Sequence, residues 1–480
     1  MKTPLIRQTW TMSAVLINMF AQGIMLSYPT SLLPALNQHD SPIKTDLNTS
    51  SWLGSILAVS SIPGFLLSSV FMDLYGRKIT HAVAILPGIA GWLLIYFAED
   101  VKTLMIGRFL GGLTSSGTVS LGAIVVGEYT SPKYRGVFLY LKNATVCIGA
   151  MLVHILSQYL HWRTIALVAL VPLFVALIII YTWPESPAWL ASTHQHEQSE
   201  KVFYWLRGYN EDARKEFQAM IEAEEAKLLK LTSKVKCSER IKDFFRKFRR
   251  RDFLKPFMIM VLATSVLEMS GRHVFPSYAL QIMTAITGET THSFYYALGI
   301  DIMITASALI ALFLVKIMTR RTLLFSTGFA AVVILMLVSL YLFLISKGLI
   351  ANGKMWISIA LLISYFFLAN FGCAPIPLAL VGEVFPLAHR GVGSALSGIW
   401  ISICLMAALK STPHLMVNLG IHGLFAVNSS VMGISLFILY FILPETKDRT
   451  LQEIEYYFNH GKFPNAENED TEANIKMIPD

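Results

Sequence analysis

Of the 480 residues 54% are hydrophobic and only 15% charged, where a soluble domain of this length carries about a quarter. That balance excludes an ordinary water-soluble globular protein, and the net charge of +8 does not point to nucleic acid, because Lys and Arg gather at the ends of apolar runs where membrane topology accounts for them. The cysteines show neither disulfide nor metal spacing.

A bilayer-crossing helix needs about 20 predominantly apolar residues. Twelve such spans are predicted, at about 10–36, 51–72, 80–98, 103–126, 137–159, 163–183, 256–286, 293–316, 322–346, 354–382, 391–412 and 419–443. The first has no small-residue cleavage site and is expected to stay as a span. Arg77 and Lys78, Lys133 and Arg135, Arg320 and Arg321, and Arg390 fall on one side, which the positive-inside rule makes cytoplasmic, with both termini facing it. The opposite loops are short. The first holds Asn48-Thr49-Ser50, a glycosylation sequon in an accessible position. Two further matches, at Asn143 and Asn428, lie within or beside spans and are discounted.

Residues 184–255 divide the spans into two groups of six. This segment is rich in Glu, Lys and Arg with scattered apolar residues, and is expected to form short amphipathic helices on the cytosolic face. Its end, KDFFRKFRRRDFLK, is read as a positive-inside anchor, with attraction to anionic inner-leaflet lipid as the alternative. The expected organisation is therefore a six-helix half over 1–183, a cytosolic linker over 184–255, a second six-helix half over 256–443 and a cytosolic tail over 444–480.

The halves echo each other. GEYTSPKYRG (Gly127 to Gly136) matches GEVFPLAHRG (Gly382 to Gly391), each after the fourth span of its half. DLYGRK (Asp73 to Lys78) matches KIMTRR (Lys316 to Arg321), and PESP (Pro184 to Pro187) matches PETK (Pro444 to Lys447). Duplicated halves with a solute site between them near the midplane are a transporter architecture.

With these motifs the chain resembles the sugar porter branch of the major facilitator superfamily over essentially its whole length. SYPTSLLPAL after the first span and SSWLGSILAVSSIPG opening the second are most similar to insect trehalose and sugar facilitators. The resemblance implies an all-α membrane fold of twelve helices working by alternating access. It further implies a plasma-membrane location, a small-molecule solute and the lipid bilayer as partners, and function as a monomer. The acids Asp73, Glu128, Glu185, Glu383 and Glu445 and the bases Arg77, Arg135, Arg320, Arg321 and Arg390 stand at helix ends. They are expected to cap helix termini and to pair across the two halves as a cytosolic gate. Lys316 and Thr319 depart from the acid and glycine of the family's second motif, Ser69 replaces a glycine and Ala188 an arginine.

Proton-driven members are similar in having a first-span aspartate facing a fourth-span arginine. Here Arg108 is present but Met25 stands at the aspartate position, which implies facilitated diffusion. Asp301 is the remaining intramembrane carboxylate of interest, and its depth is read as letting it reach water at the outer end.

A sugar site needs amides that donate and accept and aromatic faces for the ring. At the positions where the family places them this chain has Asn143, Leu267-Glu268, His273, Ile304 and Leu378, while Asn370, Trp400 and Tyr278 keep a polar group, an aromatic and the outer-gate tyrosine. Candidate solute contacts are therefore Asn143, Glu268, Arg272, His273, Tyr278, Asn370 and Trp400. Glu268, Arg272 and His273 admit two readings: they face the solute or a proton, or Glu268 and Arg272 neutralise each other at i and i+4 where Gly271 and Pro276 loosen the helix. The expected solute is a sugar, trehalose or a hexose; alternatives are a non-sugar or proton-linked organic solute, and a transport-dead sensor. No nucleotide loop, metal cluster or nucleophile–base arrangement is present in the sequence, so no catalytic residue, metal or cofactor is expected.

Overall fold

The structure is a computed structural model that describes residues 2–38, 40–231, 251–288, 290–350, 355–385, 390–447, 453 and 456–458. Its regular elements are helices, because a backbone in hydrocarbon must satisfy its N–H and C=O groups within its own segment. The first group comprises α1 (Lys2–Ser27), α2 (Pro29–Leu36), α3 (Leu47–Tyr96), α4 (Val101–Tyr129), α5 (Pro132–Tyr159) and α6 (Trp162–Tyr181). Three helices follow: α7 (Pro187–Ser192), α8 (His196–Arg207) and α9 (Glu211–Leu231). The second group comprises α10 (Arg251–Met269), α11 (Val274–Thr287), α12 (Thr290–Ile317), α13 (Arg320–Ser346), α14 (Met355–Gly372), α15 (Pro375–Glu383) and α16 (Arg390–Ile442).

Among the described residues ten segments are long and apolar enough to cross a membrane; two of them, Leu47–Tyr96 with 50 residues and Leu396–Ile442 with 47, are long enough to cross twice. The chain is thus a multi-pass membrane protein with twelve crossings. The expected spans match in position, with two kinds of difference. Spans 2 and 3 follow one another without a loop in α3, and spans 11 and 12 in α16; each run is two helices that meet at a kink on one glycine of non-helical backbone, Gly76 (φ +81°) and Gly420 (φ +72°). Conversely, spans 1, 7 and 10 are broken in mid-course, at Tyr28, at Ser270–His273 and at Cys373–Ala374. A proline opens the helix after two of these breaks, Pro29 in α2 and Pro375 in α15, where its missing N–H has no helical partner to lose.

The termini of the spans carry their own stop signals. Asp46 and Asp100 begin α3 and α4 by accepting the backbone N–H of Thr49 (3.1 Å) and Thr103 (2.8 Å). Both lie on the side opposite the basic loops, here called the far side. On the basic side α8 and α9 are stapled by Phe203, Tyr204 and Ala213 against Phe217 and Met220. They dock on the first group through Arg207, which donates to the Tyr129 carbonyl (3.0 Å) and pairs with Glu216 (3.2 Å). Gln8 and Arg7 of α1 reach the carbonyls of Leu206 and Trp205. Helices α7 to α9 thus occupy most of 187–231, while most of the basic run ahead of α10, residues 242–250, lies outside the described residues.

Within the first group α1 packs on α5 and α6, and α3 on α4 and α6; within the second, α16 packs on α10 and α13, and α14 on α12 and α13. The two groups meet through α5 on α12 and through the far ends of α3 and α16. The hydrogen bonds that join them run from mid-depth to the far side: Arg272 to Asn143, His154 to Asp301 and Pro276, Ser277 to Leu26, His414 to Ser51 and Lys410 to Asn48. The molecule is closed on the far side.

Gly76 tests this account. A Cβ there would lie 2.6 Å from the Glu185 carboxyl carbon, and the φ of +81° disfavours any L side chain. Gly76→Ala is expected to lower stability by about 1–3 kcal/mol, read as a lower midpoint of thermal unfolding in detergent.

Candidate solute site and gates

The break in span 7 decides where the Glu268 cluster points. α10 ends at Met269, Gly271 takes φ +74°, and α11 restarts at Val274. A continuous helix would set Glu268 and Arg272 on one face at i and i+4. The left-handed step turns them apart, and of the two readings the mutual neutralisation is not among the described bonds. Glu268, fully buried, instead accepts from Nδ1 of His273 at 2.9 Å. Its other oxygen, Oε1, has no partner among the described residues. Arg272 reaches across the molecule, to the Oδ1 of Asn143 on α5 and the Oδ1 of Asn370 on α14 (3.3 Å).

Three of the candidate contacts, Asn143, Arg272 and Asn370, thus converge at mid-depth between the two groups. Asn370 is held by its own helix through Nδ2 to the Phe366 carbonyl (2.8 Å), which fixes its oxygen toward the guanidinium. Trp400 on α16 is half-buried, and its indole N–H is shielded from solvent without a partner among the described residues. Tyr278 is fully buried and donates to the Leu409 carbonyl (2.9 Å). It also lines a cavity of about 380 Å³ on the far side together with Leu33, Ser50, Gln281 and Pro413. Where the family's amides would stand, Leu267 and Ile304 are buried apolar side chains, and Leu378, at the position of its span 10 tryptophan, is exposed.

Arg108 does face Met25, as the sequence comparison placed it. Its guanidinium donates to the Met25 carbonyl (2.6 Å) and to the Leu53 carbonyl (3.3 Å), with the Met25 sulfur at 3.5 Å. α1 stops at Ser27, so the Met25 carbonyl is among the last four that lack a helical partner, at the negative end of the helix dipole. An arginine is accommodated there with no carboxylate beside it among the described residues.

Asp301 corrects the sequence reading. It does not reach water: only 4% of it is exposed, about three turns into α12, and it bonds to Nδ1 of His154 on α5. His154 is fully buried, and its Nε2 lies 2.9 Å from the Pro276 carbonyl of α11. Sequence reasoning passed over His154. The signal available was an ionisable residue inside an apolar run, MLVHILSQY, the same signal that singled out Glu268. Lys142, whose ammonium donates to the Val119 carbonyl of α4 (3.1 Å), was missed in the same way.

On the basic side the charged motifs bond within each group. Arg77 grips Glu128 with two bonds, 2.8 and 2.7 Å, and Ser186 also donates to that carboxylate. Glu185 accepts the backbone N–H groups of Arg77 (2.7 Å) and Lys78 (3.1 Å), capping the second limb of α3 just past Gly76. Glu445 does the same for α13, accepting from Arg320 and Arg321, each at 3.0 Å. Lys78 donates to the Tyr181 carbonyl as Arg321 donates to that of Tyr440, so the repeat is one of bonding as well as of sequence. Thr319, in the glycine position, is an N-cap with extended backbone accepting from Thr322, because here the chain ends one helix and starts another instead of bending through a hinge. Arg135 donates to the Gly127 carbonyl, and the Asp73 charge supports Arg77. The expected bridges between halves are not among these bonds; the caps are. The side chains of Glu383 and Arg390 lie outside the described residues.

Burial raises the pKa of Glu185, and the backbone donors of Ser186, Arg77 and Lys78 offset it only in part. Burial pushes Glu445 the same way, but the N–H groups of Lys447, Arg321 and Arg320 and the Thr319 hydroxyl outweigh it and the pKa falls below its ordinary value. Asn48 is exposed in the first turn of α3, its amide oxygen 3.3 Å from Lys410, whose ammonium stands 3.6 Å over the Trp52 ring.

With this geometry in view, the family model described as sugar (and other) transporter matches residues 12–458. The chain belongs to the sugar transporter family. A facilitated trehalose transporter Tret1 of Drosophila virilis is 27% identical over 406 residues, covering 84% of this chain and 43% of the relative. The one of Apis mellifera ligustica is 25% identical over 446 residues, covering 91% and 86%. The chain spans about half the length of the first curated relatives it matches. Among solved structures, the partially occluded inward open form of the E. coli xylose transporter XylE superposes with a TM-score of 0.74 at 14% identity, covering 92% of this chain and 99% of that one. The inward open form gives 0.69 at 17% identity, covering 94% and 98%. These likenesses establish the fold of this sugar transporter family member.

Two measurements check the gates. A Cβ on Gly54 would stand 2.3 Å from the Tyr278 hydroxyl, so Gly54→Leu is expected to hold the far side open. A cysteine placed at Ser51 would then react with a bulky water-soluble thiol reagent at least tenfold faster than in the otherwise unsubstituted protein. Because the folded pKa of Glu445 is lowered, its stabilisation is complete above an ordinary glutamate pKa of about 4.3 and is lost as pH falls through the folded value. Thermal midpoints measured from pH 6 to pH 3.5 are expected to fall less in Glu445→Gln than in the unsubstituted protein.

Proposed function

We propose that this protein carries a sugar, trehalose or a hexose, down its gradient across the plasma membrane by alternating access. The observation that carries the reading is the convergence of Asn143, Arg272 and Asn370 from three spans between the two helix groups. These groups offer the donors and acceptors that sugar hydroxyls require, and half-buried Trp400 offers an aromatic face on α16. Opening of the basic side would expose this set to the cytoplasm, and parting of the far-side contacts would expose it to the outside. Family membership and the Tret1 relatives support the sugar; Met25 in front of Arg108 supports passive transport, since no carboxylate stands there to carry a proton.

In this reading residues 1–183 and 256–443 are the two moving halves, 184–255 is a cytosolic linker docked on the first, and 444–480 is a cytosolic tail. The acids and bases from Asp73 to Glu445 act as hinge pins that preserve each half while the halves rock. Arg77 holds Glu128 by two bonds. The protein works as a monomer, both termini are cytoplasmic, and Asn48 carries a glycan outside.

Arg272 favours a second reading. Its guanidinium touches two neutral amides, while Glu268 pairs with His273 instead. A solute bearing a carboxylate beside its hydroxyls would complete its bonding.

Radiolabelled trehalose, glucose, fructose and glucuronate uptake in oocytes separates these. Saturable uptake of a neutral sugar is expected, with the internal concentration never exceeding the external one under an inward proton gradient. Arg272→Ala and Asn143→Ala are each expected to cut uptake at least tenfold. Uptake of glucuronate alone would replace the neutral sugar with an acidic one, uptake of none would overturn both, and accumulation above the bath concentration would overturn passive transport.

A further inference from the structure

We propose that His154 and Asp301 form a proton-binding latch that holds the far side closed only while it carries one titratable proton. Both side chains are buried, and they belong to opposite helix groups, so the contact must part when the far side opens. The proton follows from hydrogen-bond inventory. The Pro276 carbonyl can only accept, so the Nε2 of His154 at 2.9 Å carries a hydrogen. The Nδ1–Oδ2 contact then sets the remaining ring nitrogen against a carboxylate oxygen, and two lone pairs cannot bond. One proton must lie between them, whether the pair is written imidazolium–carboxylate or imidazole–carboxylic acid. The closed pair is neutral overall; without that proton it would be a buried repulsive contact with a net negative charge.

The ionisable neighbours do not replace this proton. Cys147 on α5 lies within electrostatic reach of Asp301 and of Arg272, and Arg272 is committed to Asn143 and Asn370. On α11 Tyr278 is bonded to Leu409, and on α14 Tyr365 is bonded to the Ser270 carbonyl. On α12 His292 stands more than two turns toward the far end, and Thr305 donates to the Asp301 carbonyl rather than its carboxylate. Residues 8–27 of α1 and the whole of α2 carry no ionisable side chain, and Tyr28 between them is bonded to Trp162.

When the halves part, imidazole and carboxylate meet water separately and hold a proton only below about pH 6.5 and about pH 3.9 respectively. Above about pH 6.5 the closed form therefore binds one proton more than the parted form, and each pH unit shifts their ratio by up to tenfold toward the parted form. The latch rests on the alternating-access reading but not on any particular solute, and it regulates opening without requiring that the proton cross with the solute.

Hydrogen–deuterium exchange on the full-length protein in lipid nanodiscs, with labelling times scaled to the intrinsic rate at each pH, tests it without a solute. Protection of the far-side segments 47–54 and 410–417 is expected to fall three- to tenfold per pH unit between pH 6.5 and 8.5. Asp301→Asn and His154→Gln are each expected to abolish that slope, while His414→Gln and His292→Gln keep it. A flat profile in the unsubstituted protein, an unchanged slope in Asp301→Asn or His154→Gln, or loss of the slope in His414→Gln or His292→Gln would each overturn the latch. Should Asp301→Asn and His154→Gln fail to fold, the unsubstituted profile and the two control histidines still decide it.

Discussion

A backbone carbonyl left without its helical N–H inside hydrocarbon must find another donor, and that constraint organises the middle of this molecule. Spans 1 and 7 break at mid-depth, and the freed or strained carbonyls are each met by a side chain from elsewhere. Arg108 meets Met25, Ser277 meets Leu26, Tyr365 meets Ser270 and His154 meets Pro276. Two of these donors belong to the opposite helix group. The bonds that make the breaks tolerable are therefore also bonds between the parts that must move, and the cost of unwinding is tied to the conformation the protein occupies.

The same constraint explains how the ionisable groups are distributed. Arg108 keeps its charge at the end of α1 because the last carbonyls of that helix are there to receive it. Glu268 and Arg272 lie four residues apart, but the left-handed step at Gly271 sends one into the second group with His273 and the other across to Asn143. The acid and base that look self-neutralising in sequence become two polar groups facing different surroundings. That leaves a guanidinium at the centre with amide partners, a group that can exchange those amides for the oxygens of a solute.

On the basic side the duplication of sequence is a duplication of physical device. Glu185 and Glu445 each hold the backbone N–H groups that open the third span of their half. The devices differ in detail because the first turn bends through Gly76 while the second restarts at Thr319. The more buried glutamate has its pKa raised and the better-solvated one has it lowered, so halves alike in motif respond differently to pH. Among the described residues these charges bond within their own half, while the bonds between the halves lie at mid-depth and on the far side.

Much of this was legible along the chain. The spans follow from apolar runs, because hydrocarbon selects helices by length and composition alone. The side on which Arg77, Arg135 and Arg321 lie follows from their places between spans, and the repeated motifs announce two related halves. The placement of Met25 before Arg108 was legible too, since a comparison without gaps carries one position onto the next. What sequence could not decide was partnership. His154 and Asp301 are separated by 147 positions, and nothing in the periodicity of either helix says that they touch. Gly271 announces a loosened helix but not the sign of its φ, and that sign determines whether Glu268 faces Arg272 or His273. Local composition determines which segments cross the membrane; the packing of broken helices against one another determines which charges meet, because a buried polar group bonds to whatever the fold brings within about three ångströms.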